Sequence, residues 1–527
     1  MAEPAEVITI SNTSESDVYE KDNRRIDEKI KDRRSQELII GLCGAIGSGV
    51  KKLKDSVISE LKVVGYKVCH IRLSDLIANT QGDKARGIKS LTGFDRYKVL
   101  QDLGDQLRNT DNNNNMTVVA EMAIREIVTL RNAEFKDETT KGGLAKTKKK
   151  VAYVIDQLKN PAEVELFRTV YRNNFYLIGL LRNKEERVQN LRDEPMSLEQ
   201  ANILIERDRS SKDVNGKSVD SGQQVEKTLY LADYFIKNID QVADINASVG
   251  RFLKLIHGVG NLTPTHDETG IFTAHAASFR SACLSRQVGS CIMDDDGNIL
   301  ATGCNDVPKS GGGLYTSNTN IDMRCYNRST CFNDKHKDIL CKEIETLLNK
   351  LNIESSAIIA KKIMSETKAK SIIEYSRAIH AEMDSIMALA RNTNISSVDK
   401  IMYCTTFPCH NCARHIVAAG IKKVIYIEPY EKSLALDLHN DSITQSDTES
   451  TLKVVFCNFE GVSPSRYESF FKISRIRKEE GKVKNYEITN SPHVDPIYLD
   501  SYISYETRIA KEVTSKLGKQ SIPDFDK

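Results

Sequence analysis

The sequence predicts two α/β units in tandem, the first built on a doubly wound parallel sheet. Three observations carry this. Short apolar runs alternate with amphipathic stretches from residue 37 to about residue 260, the order of a sheet covered by helices on both faces. A break, Thr263-Pro264-Thr265, follows. Beyond it come two apolar runs around the turn signal Asp294-Asp295-Asp296-Gly297 and further runs at 401–405, 423–427 and 452–457, which read as the strands of a second sheet.

A chain of 527 residues is too long for one core, and its 40% hydrophobic and 28% charged residues are those of an ordinary globular protein. The formal net charge of +2 gives no general electrostatic footprint for nucleic acid or an acidic membrane. Residues 1–36 are polar and highly charged and read as a flexible arm, without the basic and apolar regions of a signal peptide. No apolar run approaches the roughly 20 residues of a membrane span. Twelve cysteines in such a chain read as reduced thiols and metal ligands rather than a disulfide framework, which points to the cytoplasm.

In chain order, residues 37–43 read as a buried strand that runs into Gly44-Ala45-Ile46-Gly47-Ser48-Gly49 and then a helix over 50–61. Strand, glycine-rich loop and helix are the context of a phosphate cradle, so Gly44, Gly47, Ser48, Gly49, Val50 and Lys51 are candidate nucleotide-binding residues. Further strands are expected at 66–73, 151–155, 175–181 and near 238, with helices over 96–108, 117–130, 161–171 and 240–255. The polar run 111–115 marks a turn and the Lys-rich 139–150 a surface loop. Asp156 ends its strand either as a magnesium-associated acid or as a plain helix cap. Arg182, Arg187, Arg192, Arg207 and Arg209 form either a lid over the loop or a solvated helical face.

By this order of elements, residues 37–260 resemble the P-loop nucleotide kinases, which implies a P-loop NTPase-like sheet. The loop departs from G-x-x-x-x-G-K-[ST], since Val50 and Lys51 stand where Lys and Ser or Thr are required. Lys51 comes one residue late, about 100° round the helix. Binding of a nucleotide with Mg2+ is therefore favoured over phosphoryl transfer.

The second unit holds His380-Ala381-Glu382 and Pro408-Cys409-His410-Asn411-Cys412. One imidazole and two thiolates, from His380, Cys409 and Cys412, suit a tetrahedral zinc ion, and three protein ligands leave a fourth position for water. Zinc lowers that water's pKa from about 15.7 towards about 7. Glu382 is placed to take the water's proton and hand it on, which is general acid–base work. Pro408 is expected at a first helical position, with Cys409 and Cys412 on one face of the helix that follows. A closed structural site would need a fourth Cys or His, for which His410 and His415 are poorly placed. Residues 306–370 separate the hairpin from this motif. Gly311-Gly312-Gly313 there suggests mobility, and the spacings of Cys325, Cys331, His336 and Cys341 favour ordinary thiols over a second metal.

H-x-E with a later P-C-x-x-C is the signature of the zinc nucleobase deaminases. The segment AASFRSACLSRQVGSCIMDDDGNILATGCNDVP resembles the opening of cytidine and deoxycytidylate deaminases, and FEGVSPSRY at 459–467 resembles the end of deoxycytidylate deaminase domains. This implies an α/β/α sandwich over 268–475 with 306–370 inserted, a C-terminal extension at 476–527, and substrate contacts at Asn305 and, nearby, Arg286. The pairing with a kinase-like front domain resembles the bacterial anti-phage deoxycytidine nucleotide deaminases. That resemblance implies action on free dCTP or dCMP, a homo-oligomer, no membrane, and an inhibitor that is RNA or protein. An RNA or single-stranded DNA base deaminase is the alternative, although the absence of Trp and only 6% aromatic residues offer little stacking platform. A nucleotide-sensing switch or kinase centred on the front unit is the alternative of another class.

Overall fold

The computed structural model describes residues 25, 28, 31 and 33–517, apart from 110–114, 136–146, 148, 210–221, 239, 393, 431–432, 447–451, 474 and 495. Most of the expected arm, residues 111–114 of the expected turn and much of the Lys-rich loop lie outside the described residues.

In the front unit, β1 (Leu38–Gly44), β2 (Lys67–Arg72), β3 (Val151–Asp156), β4 (Phe175–Leu181) and β5 (Tyr234–Lys237) run parallel in the order β2-β3-β1-β4-β5. β1 and β4 are buried along their whole lengths, as parallel strands covered on both faces must be. Helices Val50–Val63 and Val242–Ile256 pack on one face and Val118–Glu134 and Pro161–Tyr171 on the other. From β1 the chain crosses to one side and from β3 to the other, so the crevice beyond the ends of β1 and β3 is the switch point where α/β sheets take ligands. Asn160 caps Pro161–Tyr171 in a capping box with Glu163, which leaves Asp156 at the crevice and removes the helix-cap reading of it.

The second sheet contains β6 (Gly289–Met293), β7 (Ile299–Cys304), β8 (Ile401–Thr406), β9 (Lys423–Glu428), β10 (Ile443–Thr444) and β11 (Val454–Asn458), in the order β10-β11-β9-β8-β6-β7. β6 is antiparallel to β7 and β8, and the rest are parallel. Helix His266–Ser278 lies so close that a Cβ on Gly289 would stand 1.8 Å from the Ala274 carbonyl oxygen. The helix stops at Ser278 because Ser281 Oγ donates to the Asn305 carbonyl and the Ala282 N–H to Asp306, drawing the chain onto the end of β7.

Residues 306–370, read above only as an interruption, form a hairpin of helices Phe332–Lys350 and Ser356–Glu366. Gly311, Gly312 and Gly313 all have positive φ in a turn closed by the Pro308–Leu314 bridge.

The two sheets are tied together. β12 (Gly461–Val462), within the segment read as the end of the second unit, pairs antiparallel with β5 and so extends the front sheet. Buried Glu268 accepts the Val462 N–H at 2.9 Å and Arg251 Nη2 at 2.8 Å. The chain then returns to the front unit, where helix Leu499–Leu517 packs on Val118–Glu134. Arg131 is buried between Glu37 and Glu506, each at 2.7 Å, and Tyr171 Oη donates to Glu506 at 2.7 Å. The front sheet therefore takes its last strand from within residues 268–475, and its helical cover takes a helix from beyond them. Removing one carboxylate leaves a buried guanidinium half compensated, so Glu506→Ala is expected to cost about 3–5 kcal/mol in chemical denaturation. A loss below about 1 kcal/mol would show that water replaces the carboxylate. Among the described residues no helix is long and apolar enough to cross a membrane.

Candidate active site

His380 stands at the N-cap of helix Ala381–Ala390, delivered there by the bridge between Asp306 and Ile379. Three contacts seat that helix on the sheet. The Asp384 carboxylate accepts the Cys304 N–H at 3.1 Å, Ser290 Oγ bonds Ser385 Oγ at 2.6 Å, and Gly303 leaves no room for a side chain. A Cβ at Gly303 would meet the Ala381 carbonyl oxygen at 2.2 Å and the Ser385 nitrogen at 2.5 Å. Backbone cannot yield cheaply, and misplacement of reacting groups by about 1 Å costs on the order of 100-fold. Gly303→Ala is thus expected to lower turnover by about that factor; unchanged turnover with an unchanged melting temperature would show that the helix tolerates the shift.

Cys409 is the N-cap of helix His410–Ala418 and Cys412 its third residue. Pro408 precedes the cap instead of occupying the first helical position, because Cys409 keeps an extended backbone (φ −70, ψ 164) and the helix opens at His410. His380 Nδ1 lies 3.3 Å from each of the two sulfurs, and the three donor atoms all fall within 4.8 Å of one another. A tetrahedral zinc ion holds nitrogen and sulfur about 3.6 Å apart and two sulfurs about 3.8 Å apart, so this donor set fits the ion with little movement. Among the described residues no other His, Cys and acidic side chains converge in threes. Cys325, Cys331, His336 and Cys341 therefore form no second centre, and His410 and His415 stand outside the first.

The cluster is electrostatically prepared. The Cys409 thiol is pushed down to about 4, first by the hydrogen bond from Cys412 and then by His380, while Cys412, as the donor, is raised. The helix N-terminus adds partial positive charge beside the thiolate. Glu382 is buried behind the cluster, and loss of solvation raises its carboxyl, with the His380 charge opposing. A buried carboxyl of this kind accepts and releases a proton readily.

At the rim, Arg286 is half-exposed, 3.4 Å from Glu428, with its guanidinium 5.8 Å from the Tyr430 ring centre. Thr406 Oγ1 donates to the same Glu428 oxygen at 3.2 Å. Asn305 is buried. Its Oδ1 accepts the Val288 N–H at 2.7 Å and its Nδ2 donates to the Arg286 carbonyl at 2.8 Å. The amide is engaged at both ends with the backbone that carries Arg286. Glu428 and Tyr430 leave the end of β9, where the sequence order places ligands, whereas Asp384 escapes the sequence reading. Single acidic residues carry no spacing signal of their own.

In the front unit, Gly47, Ser48, Gly49, Val50, Lys51 and Asp156 border one cavity of about 740 Å³ at the switch point. Gly44 lies beneath it, where a Cβ would meet Ser48 Oγ at 2.6 Å. None of the five arginines expected as a lid lines this cavity. Arg182 is held by Asp240, and Arg207 by Asp102 and Asp105. Lys51, Lys54, Arg72, Lys89, Arg96 and Lys159 supply its positive charge instead. Asp156 pairs with His70 at 3.2 Å, and the Ile46 N–H is bound by Asp208 at 2.7 Å.

One imidazole and two thiols around a tetrahedral position, backed by a buried glutamate on an α/β sheet, define a zinc-dependent deaminase site. Residues 264–428 match the model for the cytidine and deoxycytidylate deaminase zinc-binding region. The chain is 33% identical over 162 residues to the deoxycytidylate deaminase of Enterobacteria phage T2, covering 30% of this chain and 78% of that protein. With the corresponding enzyme of Enterobacteria phage T4 the identity is 31% over 161 residues, covering 30% and 76%. A crystal structure of dCMP deaminase from the cyanophage S-TIM5 in complex with dCMP and dUMP aligns with 38% of this chain and 99% of its own at 20% identity, with a TM-score of 0.22. The chain belongs to the cytidine and deoxycytidylate deaminase family.

Proposed function

We propose that this protein hydrolyses the exocyclic amine of free deoxycytidine nucleotides, dCMP or dCTP, giving the deoxyuridine nucleotide and ammonia. The observation that carries this is the convergence of His380, Cys409 and Cys412 with the Glu382 carboxyl buried behind them. Zinc held by the three side chains supplies a water of lowered pKa at its open position. Glu382 would carry two protons in turn: the first from the attacking water to ring N3, the second from the hydroxyl then on C4 to the amine, which leaves as ammonia as the C4–N bond breaks and the carbonyl forms. Arg286 at the rim offers a guanidinium to the substrate phosphate, with Asn305 fixing the backbone beneath it.

The pairing of this site with a basic, glycine-looped cavity supports two finer readings. The front unit binds the phosphates of a nucleotide with Mg2+, and the whole acts in anti-phage defence by draining the pool needed for viral DNA. The first test is direct. Purified protein with measured zinc is offered dCMP, dCTP, cytidine, adenine nucleotides and cytosine-containing oligonucleotides, and ammonia is measured. Release from the free deoxycytidine nucleotides is expected; release from oligonucleotides alone would overturn the proposal in favour of a polynucleotide deaminase.

A further inference from the structure

The front-unit cavity has a second end that the glycine loop does not explain. Helix Gly93–Arg108 turns Tyr97, Gln101, Gly104 and Arg108 towards it, positions spaced i, i+4, i+7 and i+11. On a helix packed against a sheet this spacing is normally apolar. Here the stripe is polar and buried, with Gln101 3% and Arg108 2% exposed.

Some of that polarity is satisfied. Tyr97 Oη donates to Glu194 at 2.9 Å, Gln101 Nε2 to Gln223 at 3.2 Å, and Arg108 Nη2 to Glu163 at 2.6 Å. Gln101 Oε1 and Arg108 Nε and Nη1 are closed to solvent and have no hydrogen-bond partner among the described residues, although Arg108 Nη1 stands 3.7 Å from Asp105. Ser48 Oγ, at the glycine-loop end of the same cavity, is likewise buried without a partner. Buried polar atoms left unpaired cost about 1–3 kcal/mol each. They persist where something else completes them.

We infer that the front unit holds a whole nucleoside phosphate, its base edge against Gln101 and Arg108 and its phosphates over the loop at 47–51. This rests on the phosphate-binding reading of the loop and extends it to the base. Gln101 Oε1 is an acceptor and Arg108 Nη1 a donor, and a nucleobase carries both donors and acceptors along its edges in return. Inorganic phosphate brings acceptor oxygens, which would complete Arg108 Nη1 but leave Gln101 Oε1 without a donor. The cavity volume of about 740 Å³ lies in the range that small-ligand sites occupy.

Calorimetric titration of the full chain carrying Glu382→Gln, which spares the ligand from turnover, tests this with ATP, GTP, UTP, dTTP and dCTP against inorganic tripolyphosphate. At least one nucleotide is expected to bind about tenfold or more tighter than tripolyphosphate. Gln101→Leu removes the acceptor and should weaken that nucleotide by about tenfold while leaving tripolyphosphate unchanged. Gly104→Ala is a second, gentler variant. Its Cβ would lie 3.5 Å from Arg108 Nη1, an ordinary contact, so the fold is kept while the space beside that nitrogen is filled. No nucleotide exceeding tripolyphosphate overturns the inference. So does either variant binding that nucleotide as the parent does, at the parent's melting temperature. Failure of the deaminase reading shows separately, as absent ammonia release from the parent chain.

Discussion

Glutamine in place of Glu382 is expected to leave zinc bound at full stoichiometry and to lower ammonia release by about 100- to 10,000-fold, the range assigned to a positioned proton carrier. Glutamine keeps the shape of the buried side chain and one carbonyl oxygen. It cannot accept a proton and pass it on. The carboxyl lies close enough to the cluster to feel the His380 charge, yet the three donor atoms of the cluster come from other residues. Chemistry and metal affinity are therefore separable here. Turnover within threefold of the parent would sink the assigned role, and metal analysis on the same sample shows whether the ion stayed.

Removal of Cys412 should have the opposite signature. Cys412→Ala deletes one of three ligands at the first turn of its helix, where the sulfur is buried against Ile416, Phe407 and the rest of one apolar cluster. Zinc content is expected to fall below about a tenth of the parent, activity to vanish with it, and the melting temperature to drop, because binding energy at such a site is also folding energy. Added zinc should not restore turnover. A Cys412→Ala protein that keeps both its ion and its activity would mean that the metal is held elsewhere.

The two halves of the deaminating motif were legible because they are local. His380 and Glu382 sit at one helix start and Cys409 and Cys412 at another, so within each half a few residues of chain keep the side chains close. Helix Pro161–Tyr171 and strand Phe175–Leu181 were read to the residue, the first from its Asn-Pro start and the second from an unbroken apolar run. What was missed depends on distant partners. Of the arginines expected as a lid, Arg182 and Arg207 are claimed by Asp240 and Asp102, 58 and 105 residues away. The Arg286–Glu428 pair spans 142 residues. Strand Gly461–Val462 is two residues long and exists only because β5 offers an open edge. Helix Leu499–Leu517 did carry a signal, since Tyr502, Glu506, Ile509 and Val513 recur at helical spacing. Its inner face includes a glutamate that only Arg131 makes affordable.

The return of the chain through β12 to its final helix has a corollary for dividing the chain. A cut at Thr263-Pro264-Thr265, the natural seam by composition, would leave the front sheet without its outermost strand and Arg131 without one of its two counter-ions. Neither fragment would inherit a complete core. A second half taken from a related protein would have to present a strand that fits β5 and a carboxylate that meets Arg131.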